Sequence, residues 1–306
     1  MGIYLLSKYI DTNCKKSISR NVHLSILKDK IIAVDISILL YKFKQKNTLI
    51  ESMYLMCSIF RKYNIIPIMV FDGKPSTDKD YYLQIKKIQR KKDNNTYKEL
   101  LEKYKDNNDK DICKQLNVLN NKLISITKQD IISVKELLTI MGIQYIQSKQ
   151  ESDSVCANLV NQSIAWGCLS NDSDMFVYNC KYIIKHLNLY RQTVSIYNTT
   201  SILRQLFISP TNFKIVCLLS KNDYNYESCY TIYNMFEYFK LFKLSRERNF
   251  KKWILNIINS NKHSINNILK IYNNVEKISQ DVKYNNSNMD REYLKKYLSQ
   301  HRFIFI

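Results

Sequence analysis

The chain has 306 residues, 45% of them hydrophobic, with 47 Lys and Arg against 27 Asp and Glu, a net charge of +20. That length supports one large domain or two smaller ones with a substantial core, and the cationic surplus favours a polyanionic partner, nucleic acid first. Eight Cys occur without any C-x-x-C pair, which argues against a zinc site and a disulfide framework and fits a reducing compartment. The opening MGIYLLSKYIDTNCKK lacks the charged n-region of a signal peptide, and Lys8 interrupts its apolar run. No apolar stretch approaches the roughly 20 residues of a membrane-spanning helix. Ser7 falls one place beyond the residue a myristoylation motif wants after Gly2. The reading is a soluble intracellular protein with no membrane partner. The abundance of Lys, Asn and Ile also fits an AT-rich genome, which explains how common Lys is but not where the carboxylates stand.

In chain order, a short helix is expected within residues 1–10. The β-branched run Ile31 to Val34 reads as a buried strand ending at Asp35, and a helical pattern follows from Ile36 to about Tyr63. Asp35 fits a helix cap and a cation-binding carboxylate about equally well. Ile65 to Phe71 is a second strand, ending at Asp72-Gly73 before Pro75, a natural turn. Strand, helix and strand of these lengths form a βαβ unit, so the two strands are parallel and bring Asp35 and Asp72 to one carboxyl edge, where open α/β sheets bind ligands.

Residues 76–130 are polar, basic and without Gly, as in KKIQRKKDNN and KYKDNNDKD. One or two helices standing off the sheet are expected there, either a solvated insertion or a basic arch. Lys79 and Lys86 lie seven residues apart and share a face of such a helix. A helix near 130–141 and a strand at 142–147 restore the α/β pattern. Glu151 and Asp153 open a helix through Val160. IAWGCLS is a strand with Asp172 and Asp174 beyond its end. Two short strands follow near 182–186 and 194–197, then helices over TSILRQLF and PTNFKIVCLL, with Asp223 just past the second. From about 225 the chain is aromatic, basic, helical in pattern and poor in Gly.

Asp35, Asp72, Glu151, Asp153, Asp172, Asp174 and Asp223 thus fall at strand ends or helix starts on one topological edge. Acids at helix starts have an ordinary role as caps and dipole partners. A cluster of them persists when cations neutralise it, and an oxygen-rich set without His or Cys suits Mg²⁺ or Mn²⁺. Seven on one edge of a basic protein point to a divalent-metal phosphodiesterase. The four isolated His offer no competing Ser-His-Asp or Cys-His arrangement.

The successive stretches MGI, AVDISILLY, VFDGKP followed by Lys79, ESDSVCANLV, SNDSDMF and LLSKNDY resemble the motifs of the flap endonuclease (XPG) family of structure-specific 5′ nucleases, over roughly residues 1–225. The resemblance implies a PIN-like α/β catalytic domain at 1–225 with a mostly parallel sheet flanked by helices, a basic helical arch at 76–130, and a helical region at 226–306. It implies two Mg²⁺ ions, replaceable by Mn²⁺, held by the seven carboxylates. Here the second member of the 151/153 pair is Asp rather than Glu, which shortens its reach. It places Lys79 and Lys86 at the scissile phosphate, where Lys86 takes a position usually held by Arg. Tyr41 falls where a base stacks, and packing within its helix is the ordinary alternative. Gly2, Lys74, Arg90, Lys91 and Lys92 fall on the DNA-binding side.

The implied activity is hydrolysis of DNA at single-strand/double-strand junctions in replication, repair or recombination. An RNA nuclease and a catalytically degenerate binding protein are the alternatives. The family's G-S-D-Y is here Lys221-Asn222-Asp223-Tyr224, and its Gly-rich helical hairpin is replaced by the Gly-free YNYESCYTIYNMFEYF. That puts duplex binding through this element in doubt. The terminal QHRFIFI has the wrong spacing for a sliding-clamp peptide. The Lys/Asn/Ile bias fits a large DNA virus or an AT-rich protist, with a nucleus or a cytoplasmic viral factory as the place of action.

Overall fold

The computed structural model describes the chain apart from residues 1, 75–79, 108, 259–268, 270, 271, 273–290, 302 and 304–306, and apart from the side chains of 105–107. Its strands are β1 (Ile18–His23), β2 (Ile31–Asp35), β3 (Ile66–Phe71), β4 (Tyr145–Gln147), β5 (Gly167–Leu169), β6 (Tyr182–Asn188) and β7 (Thr193–Asn198). They form one mixed sheet in the order β1-β7-β6-β5-β2-β3-β4. The pairs β2/β3, β2/β5, β3/β4 and β5/β6 are parallel, while β7 runs antiparallel to both β6 and β1. β2 and β3 are apolar and almost wholly buried, as parallel strands covered on both faces must be.

The helices are α1 (Leu6–Asn13), α2 (Ile36–Lys44), α3 (Leu49–Lys62), α4 (Asp80–Asn107), α5 (Lys110–Leu123), α6 (Lys128–Ile140), α7 (Ser152–Asn161), α8 (Asp174–Val177), α9 (Thr199–Gln205), α10 (Pro210–Leu219), α11 (Ile232–Leu244), α12 (Phe250–Ile257) and α13 (Arg291–Gln300). Local chemistry starts several of them. Pro210 opens α10 behind the Ser209 cap, and Thr231 with Asn234 forms a reciprocal cap on α11. No single described helix is long and apolar enough to cross a membrane.

Two compact units emerge. One comprises Met1–Ile36, Leu55–Pro75 and Ile143–Asn286, and the other Ser37–Tyr54, Ser76–Gly142 and Ser287–Ile306. The first holds the sheet and a core in which Leu6, Ala33, Ile68, Cys156, Phe176, Tyr197, Val216 and Phe236 are all buried. The second is helical. α4 and α5 form an antiparallel pair, Lys44 ion-pairs Asp130 at 2.6 Å, and the Tyr297 hydroxyl of α13 donates to the Ser133 carbonyl of α6 at 2.7 Å.

Two elements differ from the sequence reading. The helix expected from Ile36 to Tyr63 is two helices, because the polar run 45–48 turns the chain with Asn47 at φ 53°. Asn tolerates that left-handed conformation where most residues do not. The strand β1 was not expected. Its ISRNVH carries only two apolar residues, and a register shift between Ser19 and Val22, with Asn21 at φ 50°, breaks the alternation that would reveal it.

Candidate functional site

Chain order reverses between β5 and β2. β3 and β4 follow β2 to one side of the sheet, while β5 and β6 return on the other. The crevice beyond the strand ends at such a reversal is where open α/β sheets take ligands. Asp35 ends β2 there and is only 3% exposed. Its Oδ2 accepts the Ser170 hydroxyl, just past β5, at 2.9 Å, and its Oδ1 accepts the Ser152 hydroxyl, at the start of α7, at 3.1 Å. The Ser152 backbone N–H donates to Asp72 Oδ1 at 2.8 Å. Asp72 is exposed at the end of β3. Gly73 allows this packing, since a Cβ there would lie 2.3 Å from the Ser148 carbonyl oxygen.

Glu151 precedes α7 but does not cap it with its side chain, so the ordinary role of an acid at a helix start does not account for it. Its Oε2 accepts the Tyr224 hydroxyl at 3.2 Å. Asp153, one residue into α7, is half-buried, and its charge reaches the hydroxyls of Tyr178 and Tyr224. Asp172 and Asp174 are buried and adjoin each other, with the Asp174 N–H donating to Asp172 Oδ1 at 3.0 Å. The Asp172 N–H donates to Ser170 Oγ at 3.0 Å, which links this pair to Asp35. Gly2 packs against both: a Cβ on it would stand 2.3 Å from Asp172 Oδ1 and 2.4 Å from Asp174 Oδ1, and its φ is +83°. The Gly2 N–H also donates to Asp223 Oδ2 at 3.4 Å. Hydrogen bonds through Ser152 and Ser170 thus tie Asp72, Asp35, Asp172 and Asp174 into one chain, Gly2 adds Asp223, and Glu151 is tied to Tyr224, all within the first unit.

The electrostatics follow from this crowding. Burial first, then the neighbouring Asp72 charge and the Asp172 charge, together push the Asp35 carboxyl up to about 7 against the Ser170 and Ser152 hydrogen bonds, which oppose the rise. A divalent cation relieves this stress, and an all-oxygen carboxylate set suits a hard one. Among the described residues, no three acidic, His or Cys side chains meet at ready-made ligand spacing. The donor set fits a divalent metal by its chemistry.

A Gly2→Ala substitution forces its methyl onto the two buried aspartates. It is expected to lower Mn²⁺ affinity by about tenfold and, because positive φ strains any residue with a Cβ, to lower the melting temperature as well. Calorimetric Mn²⁺ titration alongside thermal unfolding checks this.

Lys74 belongs to the same unit and is exposed, its N–H donating to the Lys149 carbonyl at 3.1 Å. In the helical unit, Tyr41 is 43% exposed on α2, so its ring is not consumed by packing. On α4, the Lys86 ammonium sits 4.3 Å from the Tyr82 ring, Arg90 donates to the Leu123 carbonyl at 2.6 Å, and Lys91 and Lys92 are exposed. Lys79 lies outside the described residues.

Sequence reasoning missed the hydroxyls that hold the acids: Ser152, Ser170, Tyr224 and Tyr272, whose hydroxyl donates to Asp174 Oδ2 at 2.8 Å. The serines left a faint signal, interleaved with the acids in Glu151-Ser152-Asp153 and Ser170-Asn171-Asp172. Tyr272 left none.

A parallel-centred sheet whose strand-order reversal gathers a ring of carboxylates defines an acid-edged α/β protein of the PIN-like class. Residues 1–95 match the XPG N-terminal domain and residues 142–223 the XPG I-region. The chain belongs to the flap endonuclease/XPG family. Flap endonuclease 1 of Cryptosporidium muris is 26% identical over 293 residues, covering 87% of this chain and 59% of that protein. Flap endonuclease 1 of Entamoeba dispar is 27% identical over 243 residues, covering 73% of this chain and 62% of that protein. The chain thus spans about three fifths of the length of these curated relatives.

The fold is shared with solved structures. The catalytic core of Rad2 in complex with DNA substrate superposes with a TM-score of 0.63 at 22% identity, covering 96% of this chain and 93% of that one. Flap endonuclease-1 from Methanococcus jannaschii gives 0.65 at 18%, covering 93% and 90%. Human GEN1 in complex with Holliday junction DNA gives 0.67 at 16%, covering 99% and 74%.

Proposed function

We propose that the chain is a Mg²⁺-dependent, structure-specific 5′ nuclease that hydrolyses DNA phosphodiester bonds at single-strand/double-strand junctions, acting inside the cell in replication, repair or recombination. The observation that carries this reading is the hydrogen-bonded set Asp72, Asp35, Asp172 and Asp174 at the strand-order reversal of a family member's sheet. Family membership supports it, as do the relatives named flap endonuclease 1 and the fold neighbours solved with DNA. The net charge of +20 suits a phosphate-rich partner.

In this reading Asp35, Asp72, Glu151 and Asp153 serve one side of a two-ion centre and Asp172, Asp174 and Asp223 the other. Divalent ions bound there would neutralise the phosphodiester and lower the pKa of an attacking water. The Ser152 and Ser170 hydroxyls hold Asp35 in one orientation, so its oxygens need no rearrangement to serve. Lys74, Lys79, Lys86, Arg90, Lys91 and Lys92 bind substrate phosphates as point charges or, for Arg90, with a planar fork. Tyr41 offers its exposed ring to an unpaired base. Residues 1–225 make up the catalytic domain, with 76–130 as its basic insertion and 226–306 as a helical accessory region.

Matched DNA and RNA substrates, each as 5′ flap, nick, four-way junction and single strand, test the reading in Mg²⁺. The expected result is junction-dependent cleavage of DNA, with flap affinity falling at least tenfold between about 50 and 200 mM salt as counterions are released. Preferential cleavage of RNA, or salt-independent binding, would overturn it.

A further inference from the structure

Two tyrosine hydroxyls reach the acids: that of Tyr224, directly after the I-region match that ends at 223, and that of Tyr272, well beyond it. Tyr272 is 1% exposed, packed in the core of the sheet-bearing unit. Its hydroxyl donates to Asp174 Oδ2 at 2.8 Å, while Asp174 Oδ1 faces the Gly2 backbone. The Tyr224 hydroxyl donates to Glu151 Oε2 at 3.2 Å. The two rings meet edge to face at 5.6 Å, and Tyr178 tilts against Tyr272 at 4.8 Å. Three aromatic rings thus form a wall behind the ring of acids, with two of its hydroxyls on acids from opposite ends of the 151–174 stretch.

We propose that Tyr272 and Tyr224 are positioning residues, which fix the rotamers of Asp174 and Glu151 so that their remaining oxygens are presented to a divalent cation. The inference rests on the metal-dependent reading above; Tyr224 closes the last of the family-like motifs, and Tyr272 lies outside all of them. Packing alone does not need the hydroxyls, since Phe would fill the same space in the same apolar surroundings. A buried phenol donating to a carboxylate does what an outer-shell partner does for a ligand: it selects one orientation before the cation arrives and strengthens binding accordingly. Tyr272 ties down Oδ2 and leaves Oδ1 on the side shared with Asp172, where Gly2 allows close approach. The wall also gives the Gly-poor segment after Asp223 a task other than gripping duplex DNA: it completes the back of the acidic site.

The test is calorimetric titration of the full chain with Mn²⁺ alone, without nucleic acid, for the parent, Tyr272→Phe, Tyr224→Phe and a control, Tyr293→Phe. Tyr293 also donates to a carboxylate, Glu136, but in the helical unit. Melting temperatures are measured on the same samples. Mn²⁺ affinity is expected to fall about tenfold in Tyr272→Phe and several-fold in Tyr224→Phe, with the control unchanged. Mn²⁺ affinities for both site variants within about twofold of the parent, whatever happens to the melting temperature, would reduce the hydroxyls to structural contacts and overturn the inference alone. If the parent itself shows no saturable Mn²⁺ binding, the inference falls together with the metal-dependent reading.

Discussion

Asp174→Ala is expected to lower single-turnover cleavage of a 5′-flap substrate by about a thousandfold or more, while leaving DNA affinity within about threefold of the parent. Asp174 is buried at the start of α8, hydrogen-bonded to Tyr272 and in contact with Asp172 through its own N–H. Metal stabilisation of a phosphodiester is worth several kcal/mol, and each 1.36 kcal/mol is about tenfold in rate. Losing a carboxylate from the ring removes that contribution without touching the basic residues that attract the phosphates. Affinity is held mainly by Lys and Arg through counterion release, and removing a repulsive negative charge does not weaken it. Asp172→Ala should behave alike. Filter binding in Ca²⁺ beside quenched-flow cleavage in Mg²⁺ separates the two effects. A variant that cuts at the parent's rate would remove Asp174 from the site.

Asp35→Asn is expected to abolish cleavage and yet raise the melting temperature at pH 8 in the absence of divalent cations. Burial, then Asp72, lifts the Asp35 carboxyl from its ordinary 3.8 to about 7 in the folded chain. The folded value lies above the unfolded one, so this group's stabilising contribution is complete below about pH 4 and is lost as pH rises through 7. Above that, the fold carries a buried anion beside Asp72 and Asp172. Asn is nearly isosteric and neutral, and one of the Ser152 and Ser170 hydroxyls can rotate to accept from its amide N–H while the other keeps donating to its amide oxygen. Removing the anion is expected to stabilise the fold by roughly 2 kcal/mol, a few degrees in a chain of this size. Melting at pH 5 and pH 8 checks the sign: the parent loses stability between the two relative to the variant. Equal pH slopes for the two proteins would refute the buried-anion account.

How much of this was legible in the sequence depends on the range of the forces involved. The apolar runs ending in Asp35 and Asp72 betrayed buried parallel strands, because β-branched residues bounded by a turn carry their environment with them. Their arrival at one edge followed from the parallel direction that a strand–helix–strand connection imposes. The pair at 151 and 153 and the pair at 172 and 174 were readable as acids, but not as neighbours of particular hydroxyls. That Ser170 bridges Asp35 and Asp172, or that Tyr272 reaches Asp174 from 98 positions away, is tertiary information with no local pattern.

The same holds for the Gly-free turn after α10. The sequence predicts trouble where the family has Gly, since Gly grants positive φ. The structure solves the turn with Asn222, whose Nδ2 donates to the carbonyls of Cys217, Leu218 and Ser220 and whose Oδ1 accepts from the Tyr224 and Asn225 N–H groups. No described residue from 220 to 231 has positive φ. The Thr231–Asn234 cap then starts α11. Asn can serve a whole turn this way because its side chain both donates and accepts, which composition does not reveal.

On the proposed reading, the carboxylates at the sheet edge make this chain a metal-dependent nuclease for DNA junctions. The most direct measurement is single-turnover incubation of the parent chain with a 5′-labelled DNA flap, with Mg²⁺ and with EDTA. The expected result is a discrete product cut near the junction in Mg²⁺ and none in EDTA. An uncut flap in Mg²⁺ and in Mn²⁺, or cleavage that persists in EDTA, would contradict the claim.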